Sequence, residues 1–435
     1  MRALRPHLCL MLLWLAPWSA GQTDVLPSPL TLHAALTLAD EAHPHLQWYR
    51  AQQMAAEAEA LQAQSHNRLQ LGLELNPRWI DPNPQAPIRD NDDSRALLSA
   101  RQPLYDFGRS RSLQNSAQTQ IRSRELEWAQ QRQQHRLNIM AAYFDVLLAD
   151  LTYTRDNEAM AVAFVELNRQ RNRHELGRVS DVDLLADENH FQQARLQRLS
   201  SLQQQRARRQ HLANILNRPE QLPAQLRAPE LRGNDRQAVD FNELLTQAMQ
   251  SNAQLLAHRL ELEAASQAMA AARAQRRPTL SAEAQAGWWN REFGGDRNPY
   301  MLGLVLDLPL YQGGQENAAL VRAQAAHHAV IAELQLFELR LRQELLDTWL
   351  EIQRLRTQRE QAQIHADYRD LYLDRSRSLY EMEVATDFGD SMMRQSEAIL
   401  FTAETEFRLA LAWERLAILV GEPELSTLTL RGDGS

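Results

Sequence analysis

The sequence predicts a mainly α-helical fold with a β-barrel part, built from a duplicated helix–hairpin–helix–helix unit. Three observations predict it. The 435-residue chain resembles itself at a spacing of about 200 residues. In each half, segments of about ten residues alternate apolar and polar side chains, the period of a strand with one apolar face. Each pair of such segments leads into a run of about 70 residues without interior Pro or Gly, with apolar residues at three-four spacing.

The N-terminus reads as a signal peptide over 1–21. Arg2 and Arg5 supply its positive end, Leu8 to Leu15 its apolar core, and Ser19-Ala20-Gly21 its small-residue exit. That core is too short for a permanent membrane anchor. Cys9, the single cysteine, lies within it, so the remainder carries no thiol, disulfide or thiolate metal site. No later apolar run is long enough for a transmembrane helix, which leaves a barrel as the only way into a membrane.

The repeat is read from five matches in order. Arg50-Ala51 meets Arg259-Leu260, and Trp79 meets Trp288, at a shift of 209. Pro103-Leu104-Tyr105 meets Pro309-Leu310-Tyr311, and Val179-Ser180-Asp181 meets Ala385-Thr386-Asp387, at a shift of 206. Leu212 to Pro219 meets Leu416 to Pro423 at a shift of 204. The first unit therefore spans 22–218, and its hairpin is slightly longer than that of the second, 241–423. Pro219, Pro223, Pro229 and Gly233-Asn234-Asp235 mark a linker over 219–240, and a tail follows at 424–435.

Leu69, Leu71, Leu73 and Leu75 alternate with polar residues and predict a strand over 69–79. Its partner over 94–104 has the weakest pattern of the four. The second unit predicts strands over 280–289 and 299–309, the latter from Tyr300, Leu302, Leu304, Leu306 and Leu308. The lengths suit tilted membrane strands, and Trp79, Trp288, Trp289 and Tyr300 near strand ends, with Tyr105 and Tyr311 just beyond, suit an interfacial girdle. A pair of soluble hairpins, each packed on one face, is the alternative. Long helices are expected over 108–176 and 313–380, each a rod of roughly 100 Å. Return helices follow over 181–217 and 387–420. Four strands cannot close a barrel, and open edges are not tolerated in lipid. Three copies, supplying twelve strands, is the smallest count that leaves a pore.

In this order the motifs resemble the TolC-type outer-membrane factor family over nearly the whole chain. The unit-opening Asn-Pro-apolar signature is half-matched by His43-Pro44-His45-Leu46 and Asn252-Ala253-Gln254-Leu255. Pro103 to Gly108 and Pro309 to Gly314 match the strand-to-helix exit, and Leu416 to Gly421 matches the unit-closing pattern. The resemblance implies a homotrimer in the outer membrane of a Gram-negative bacterium, with a helical tunnel across the periplasm. It also implies a periplasmic adaptor and an inner-membrane pump as partners, outer-membrane lipid around the barrel, and no enzymatic chemistry. The adaptor-facing turns it implies are Gly177, Val179, Ser180 and Asp181 in the first unit and Ala385, Thr386 and Asp387 in the second. Glu383 stands where Gly177 stands in the first. Asp390 matches one of the acids that often close the periplasmic mouth, while Met393 and Gly389 depart from the pattern. Efflux of small molecules or metal ions is expected, with protein secretion as the alternative.

Composition excludes other classes. Charged residues are 23% of the chain, and the net charge of −8 comes without a basic block, so no nucleic acid is expected as partner. All 47 basic residues are arginine. No phosphate loop, Gly-x-Ser-x-Gly or His-Glu-x-x-His motif is present, and no cofactor or metal is expected. His327-His328 is a poor chelate because adjacent helical residues diverge by about 100°. A secreted structural coiled-coil rod and a periplasmic adaptor remain the alternatives from other classes. The rod needs no amphipathic hairpins, and the adaptor would add β-rich domains.

Overall fold

The computed structural model describes residues 26–38, 43–83, 85, 89–237, 239–289, 300–382 and 388–422. The leader at 1–21, the tail at 424–435, the turn around Gly294-Gly295 and the tip residues Ala385, Thr386 and Asp387 lie outside them.

Two helices of 67 residues dominate, α3 (Arg109–Glu175) and α7 (Gln315–Glu381). At about 1.5 Å per residue each is a rod of roughly 100 Å. Such helices gain their stability from packing rather than propensity, and each is flanked by two shorter helices stacked end to end. In the first unit these are α2 (Pro44–Ser65) and α4 (Asp181–Ile215). In the second they are α6 (Ala253–Ala274) and α8 (Phe388–Val420). Helices α6 and α8 pack against both rods, whereas α2 and α4 pack on α3 alone. The lateral order is therefore α2/α4, α3, α6/α8, α7, and no other described helix covers the outer flank at either end. Met54, Leu61, Leu185 and Leu196 lie exposed on α2 and α4, and Leu336, Leu339, Ile364 and Leu371 lie exposed on α7.

The strands are β1 (Gln70–Asn76), β2 (Arg95–Tyr105), β3 (Thr279–Trp289) and β4 (Tyr300–Asp307). They form one antiparallel sheet in the order β1-β2-β3-β4, so the two hairpins meet at β2 and β3. The first strand is shorter than 69–79. Pairing continues past it as a Trp79–Asp92 bridge and an Ile80–Asn91 hydrogen bond. Strand β2, weakest in pattern, runs 11 residues between two partners.

Two small helices, α1 (Leu32–Thr37) and α5 (Phe241–Ser251), pack midway along the rods. The core lies there. Ile139, Met140, Tyr143 and Phe144 of α3 are buried with Leu30, Leu36 and Leu212, and Phe144 stacks on Phe407 at 4.4 Å. A second cluster joins Leu341, Leu345 and Ile352 of α7 to Leu244, Leu409 and Trp413. The Tyr143 hydroxyl donates to the carbonyls of Leu30 (2.7 Å) or Arg227 (2.6 Å), and burial pushes its pKa up to about 12. The segment at 219–240 is fastened to the rods. Asn234, buried in a 3-10 turn at Arg232–Asp235, donates to the carbonyl of Glu406, and Arg359 bridges Asp235 and Glu406.

Candidate functional site

The register of the sheet sorts its residues by face. Leu71, Leu73 and Leu75 of β1 lie opposite Ala100, Leu98 and Ala96 of β2. Those alanines and Leu98 lie opposite Ala284, Ala286 and Trp288, and Ala282, Ala284 and Ala286 lie opposite Leu304, Leu302 and Tyr300. One face is thus apolar across all four strands. No described element covers it: Leu71, Leu73, Leu302 and Leu304 are each at least 67% exposed. A soluble hairpin would bury this face, and no other described element of the chain does so, which tells against the packed-hairpin alternative. An uncovered apolar sheet of this size belongs against lipid or another apolar surface.

The opposite face holds Glu74, Arg95, Ser99, Arg101, Gln285 and Glu283. Its charges pair across strands: Arg95 with Glu74 at 2.8 Å and Arg101 with Glu283 at 3.3 Å. The sequence reading missed these pairs, although charged residues of opposite sign at polar positions of neighbouring strands were a usable signal.

The aromatics bracket the apolar band. Trp288 and Tyr300 lie on the apolar face at the loop end, and Trp79 lies just beyond in its bridge to Asp92. Tyr105 and Tyr311 mark the helix end, and all five are exposed. A bulge at Leu104 carries Tyr105 to the side of Leu280, where strict alternation would have faced it the other way. From Leu280 to Trp288 the strand rises about 27 Å, or roughly 20 Å after a tilt of about 40°. That is close to the apolar band of a membrane barrel. Trp289 takes the register position opposite Arg95.

The passage from strand to rod explains the exit motif. Phe107 and Gly108 adopt positive φ (54° and 89°), as Gly313 and Gly314 do in the second unit (64° and 88°). Asp106 then accepts from the Ser110 N–H at 2.7 Å and caps α3.

The first tip is a closed helical hairpin. Gly177 sits at φ 69°, and the Arg178 N–H returns to the Arg173 carbonyl at 2.9 Å. Ser180 caps α4 by accepting from the Asp183 N–H at 3.2 Å, while Asp181 takes His174 Nε2 at 2.7 Å. Val179 is half-buried, and Val182 beside it is 76% exposed. Below the second tip, Asp390 is exposed and paired with Arg394 one turn on, at 2.8 Å. Gly389 faces α3: a Cβ there would lie 3.0 Å from Val162 Cγ2. The smaller residue lets the start of α8 approach the rod, a contact that the sequence alone does not disclose.

The unit-opening and unit-closing motifs meet each other. Asn252 caps α6 through the Leu255 N–H (2.9 Å) and donates to the Leu419 carbonyl (3.0 Å). Gly421, at φ +88°, packs so closely that a Cβ would fall 2.2 Å from the Ser251 carbonyl oxygen. In the first unit His43 takes the place of Asn252 and bonds the backbone of Asn214, and Asn217, at φ 56°, takes the place of Gly421. His43 also packs on His135 at 4.5 Å. Burial and the neighbouring histidines push His135 down to about 4. Among the described residues no cluster of metal-ligating side chains occurs, and no helix is long and apolar enough to cross a membrane.

Residues 244–386 match the outer membrane efflux protein family. No curated protein sequence matches the chain. Among solved structures, the Campylobacter jejuni CmeC outer membrane channel superposes with a TM-score of 0.75 at 14% identity, over 90% of this chain and 85% of that one. The outer membrane protein VceC from Vibrio cholerae superposes with 0.69 at 19% identity, over 90% and 96%. A membrane protein from Pseudomonas aeruginosa gives 0.72 at 18%, over 91% of each chain. The match within the second unit and the fold shared across both units make this chain similar to the TolC-type outer membrane efflux channels.

Proposed function

We propose that three copies of the chain join into a channel that carries small molecules or metal ions out of the periplasm. The observation that carries this reading is the four-stranded sheet whose apolar face is uncovered and whose two edges are unpaired among the described residues. In lipid every backbone N–H and C=O must be paired, so β1 needs the β4 of a neighbour. Three copies close a barrel of twelve strands, wide enough for a water-filled interior. The free flanks suit the same operation: α7 of one protomer lies against α2 and α4 of the next, and their exposed leucines cover one another.

Within this reading the helices continue the barrel as a duct. The first tip turn (Gly177, Val179, Ser180, Asp181) and the second (Ala385, Thr386, Asp387) meet a periplasmic adaptor, which couples the duct to an inner-membrane pump. The exposed Val182 beside the capped first tip supports a protein contact there. The channel itself performs no chemistry. Asp390 narrows the periplasmic mouth as a ring of three carboxylates, and Arg394 holds each one in position. Asp390→Ala is expected to raise conductance in planar bilayers. An unchanged trace removes the gate assignment.

Growth of a deletion strain against metals, detergents and antibiotics, with the complemented strain beside it, tests the efflux role. Restorable sensitivity to one class is expected. Loss of a secreted polypeptide with no sensitivity to any class would instead favour the secretion reading.

A further inference from the structure

We infer that the two cross-strand ion pairs, Glu74–Arg95 and Arg101–Glu283, cancel charge over the stretch of the barrel wall that holds them, leaving Asp307 at the helix end as the uncompensated charge among the described strand residues. That stretch then passes solutes of either charge, and selection by sign falls to other parts of the duct. This rests on the proposed reading of the sheet as a barrel wall.

The face away from the leucines carries five charged residues among those described in the strands: Glu74, Arg95, Arg101, Glu283 and Asp307. Four of them form the two pairs, at 2.8 and 3.3 Å. The first pair links β1 to β2 within one unit. The second spans β2 and β3, where the two units join, and its members stand directly opposite in register. Asp307, opposite Thr279, lies at the helix end of the wall. Adjacent opposite charges present a dipole to the lumen, whose field falls off faster than that of a lone charge. An unpaired ring of like charges would instead concentrate counter-ions and sort solutes by sign. Both pairs depend on arginines at polar strand positions, so their removal leaves an acidic wall.

The chain's single cysteine, Cys9, lies in the leader, so Ser99→Cys introduces the one thiol among residues 22–435. Ser99 stands between Gly72 and Gln285 in register, on the face that carries both pairs. Whole cells at low ionic strength are treated with a cationic and an anionic methanethiosulfonate, and the ratio of the two modification rates is compared with that of a free small thiol. With the wall intact the two ratios are expected to agree within about twofold. Adding Arg95→Gln and Arg101→Gln is expected to raise the cation preference roughly fivefold, and adding Glu74→Gln and Glu283→Gln to lower it by a similar factor. Heat-modifiable mobility on gels verifies assembly. Where a double variant fails to assemble, Arg95→Gln and Glu74→Gln singly supply the same opposed comparison. A Ser99→Cys thiol that reacts while both variant sets leave the ratio unchanged, or an intact wall already skewed severalfold, overturns the inference and leaves the channel reading standing. A thiol that reacts with neither reagent contradicts the barrel wall itself.

Discussion

Single residues at the seams hold the stacked helices in line. Gly421 combines a left-handed backbone with a Cβ position only 2.2 Å from the Ser251 carbonyl oxygen. Gly421→Ala is therefore expected to destabilise the protein by about 2 kcal/mol or more. Gly177, also at positive φ but with open space around its Cβ position, is expected to cost only about 1 kcal/mol on the same change. Thermal unfolding of the two variants compares them, and equal losses would show that the seam contact contributes nothing. His135 makes the first seam sensitive to acid. Its folded pKa, about 4, is depressed chiefly by burial and then by His43 and His45, against about 6.5 for the unfolded chain. The unfolded state binds more protons between those values. The contribution is thus fully present above pH 6.5 and is lost as pH falls toward 4. His135→Leu puts at this site the residue found at the matching position of the second unit, Leu341. It is expected to flatten the dependence of the unfolding midpoint across that window. A slope that survives the substitution would assign the effect elsewhere.

At the scale of elements, the sheet's two faces make opposite demands. Leu302 and Met301 are neighbours on β4, but Leu302 lies opposite Ala284 on the apolar face and Met301 opposite Gln285 on the other. Leu302→Arg is expected to lower barrel stability by about 2–4 kcal/mol, whereas Met301→Arg is tolerated, as read from the folded fraction on unheated gels. Similar losses from both would mean that neither face meets lipid. Much of this was legible in the sequence, because alternation is a local signal and the leucines of β1 and β4 display it plainly. Strand β2 was nearly hidden: Ala96 and Ala100 are small, and Arg95 and Arg101 replace the usual neutral polar residues. Its two flanking partners stabilise it where its own pattern is weak. The small helices α1 and α5 escaped notice because they are too short to carry a clear period. The contact of Gly389 with Val162 was illegible because it joins α8 to α3, which are distant in sequence. The Asp390–Arg394 pair, by contrast, is local, at i,i+4 on one helix, and its spacing is legible in the sequence. The adaptor-facing turns came from resemblance, and the geometry adds only that the first is a well-capped hairpin.

At the scale of the whole molecule, a single chain leaves several surfaces unsatisfied. The duplicated units meet at β2 and β3, and α6 and α8 pack between the two rods. Yet among the described residues both outer strands lack a partner, no element covers the apolar face, and the helical flanks expose leucines. A head-to-tail ring resolves all of these at once, since each copy offers β4 and α7 to the β1, α2 and α4 of the next. Two copies would give eight strands, an interior filled by side chains, and three is the smallest number that leaves a pore. The most direct test is the mass of the detergent-extracted complex by native mass spectrometry. Three protomers are expected, with no stable folded monomer. A homogeneous monomer, dimer or tetramer would contradict the account.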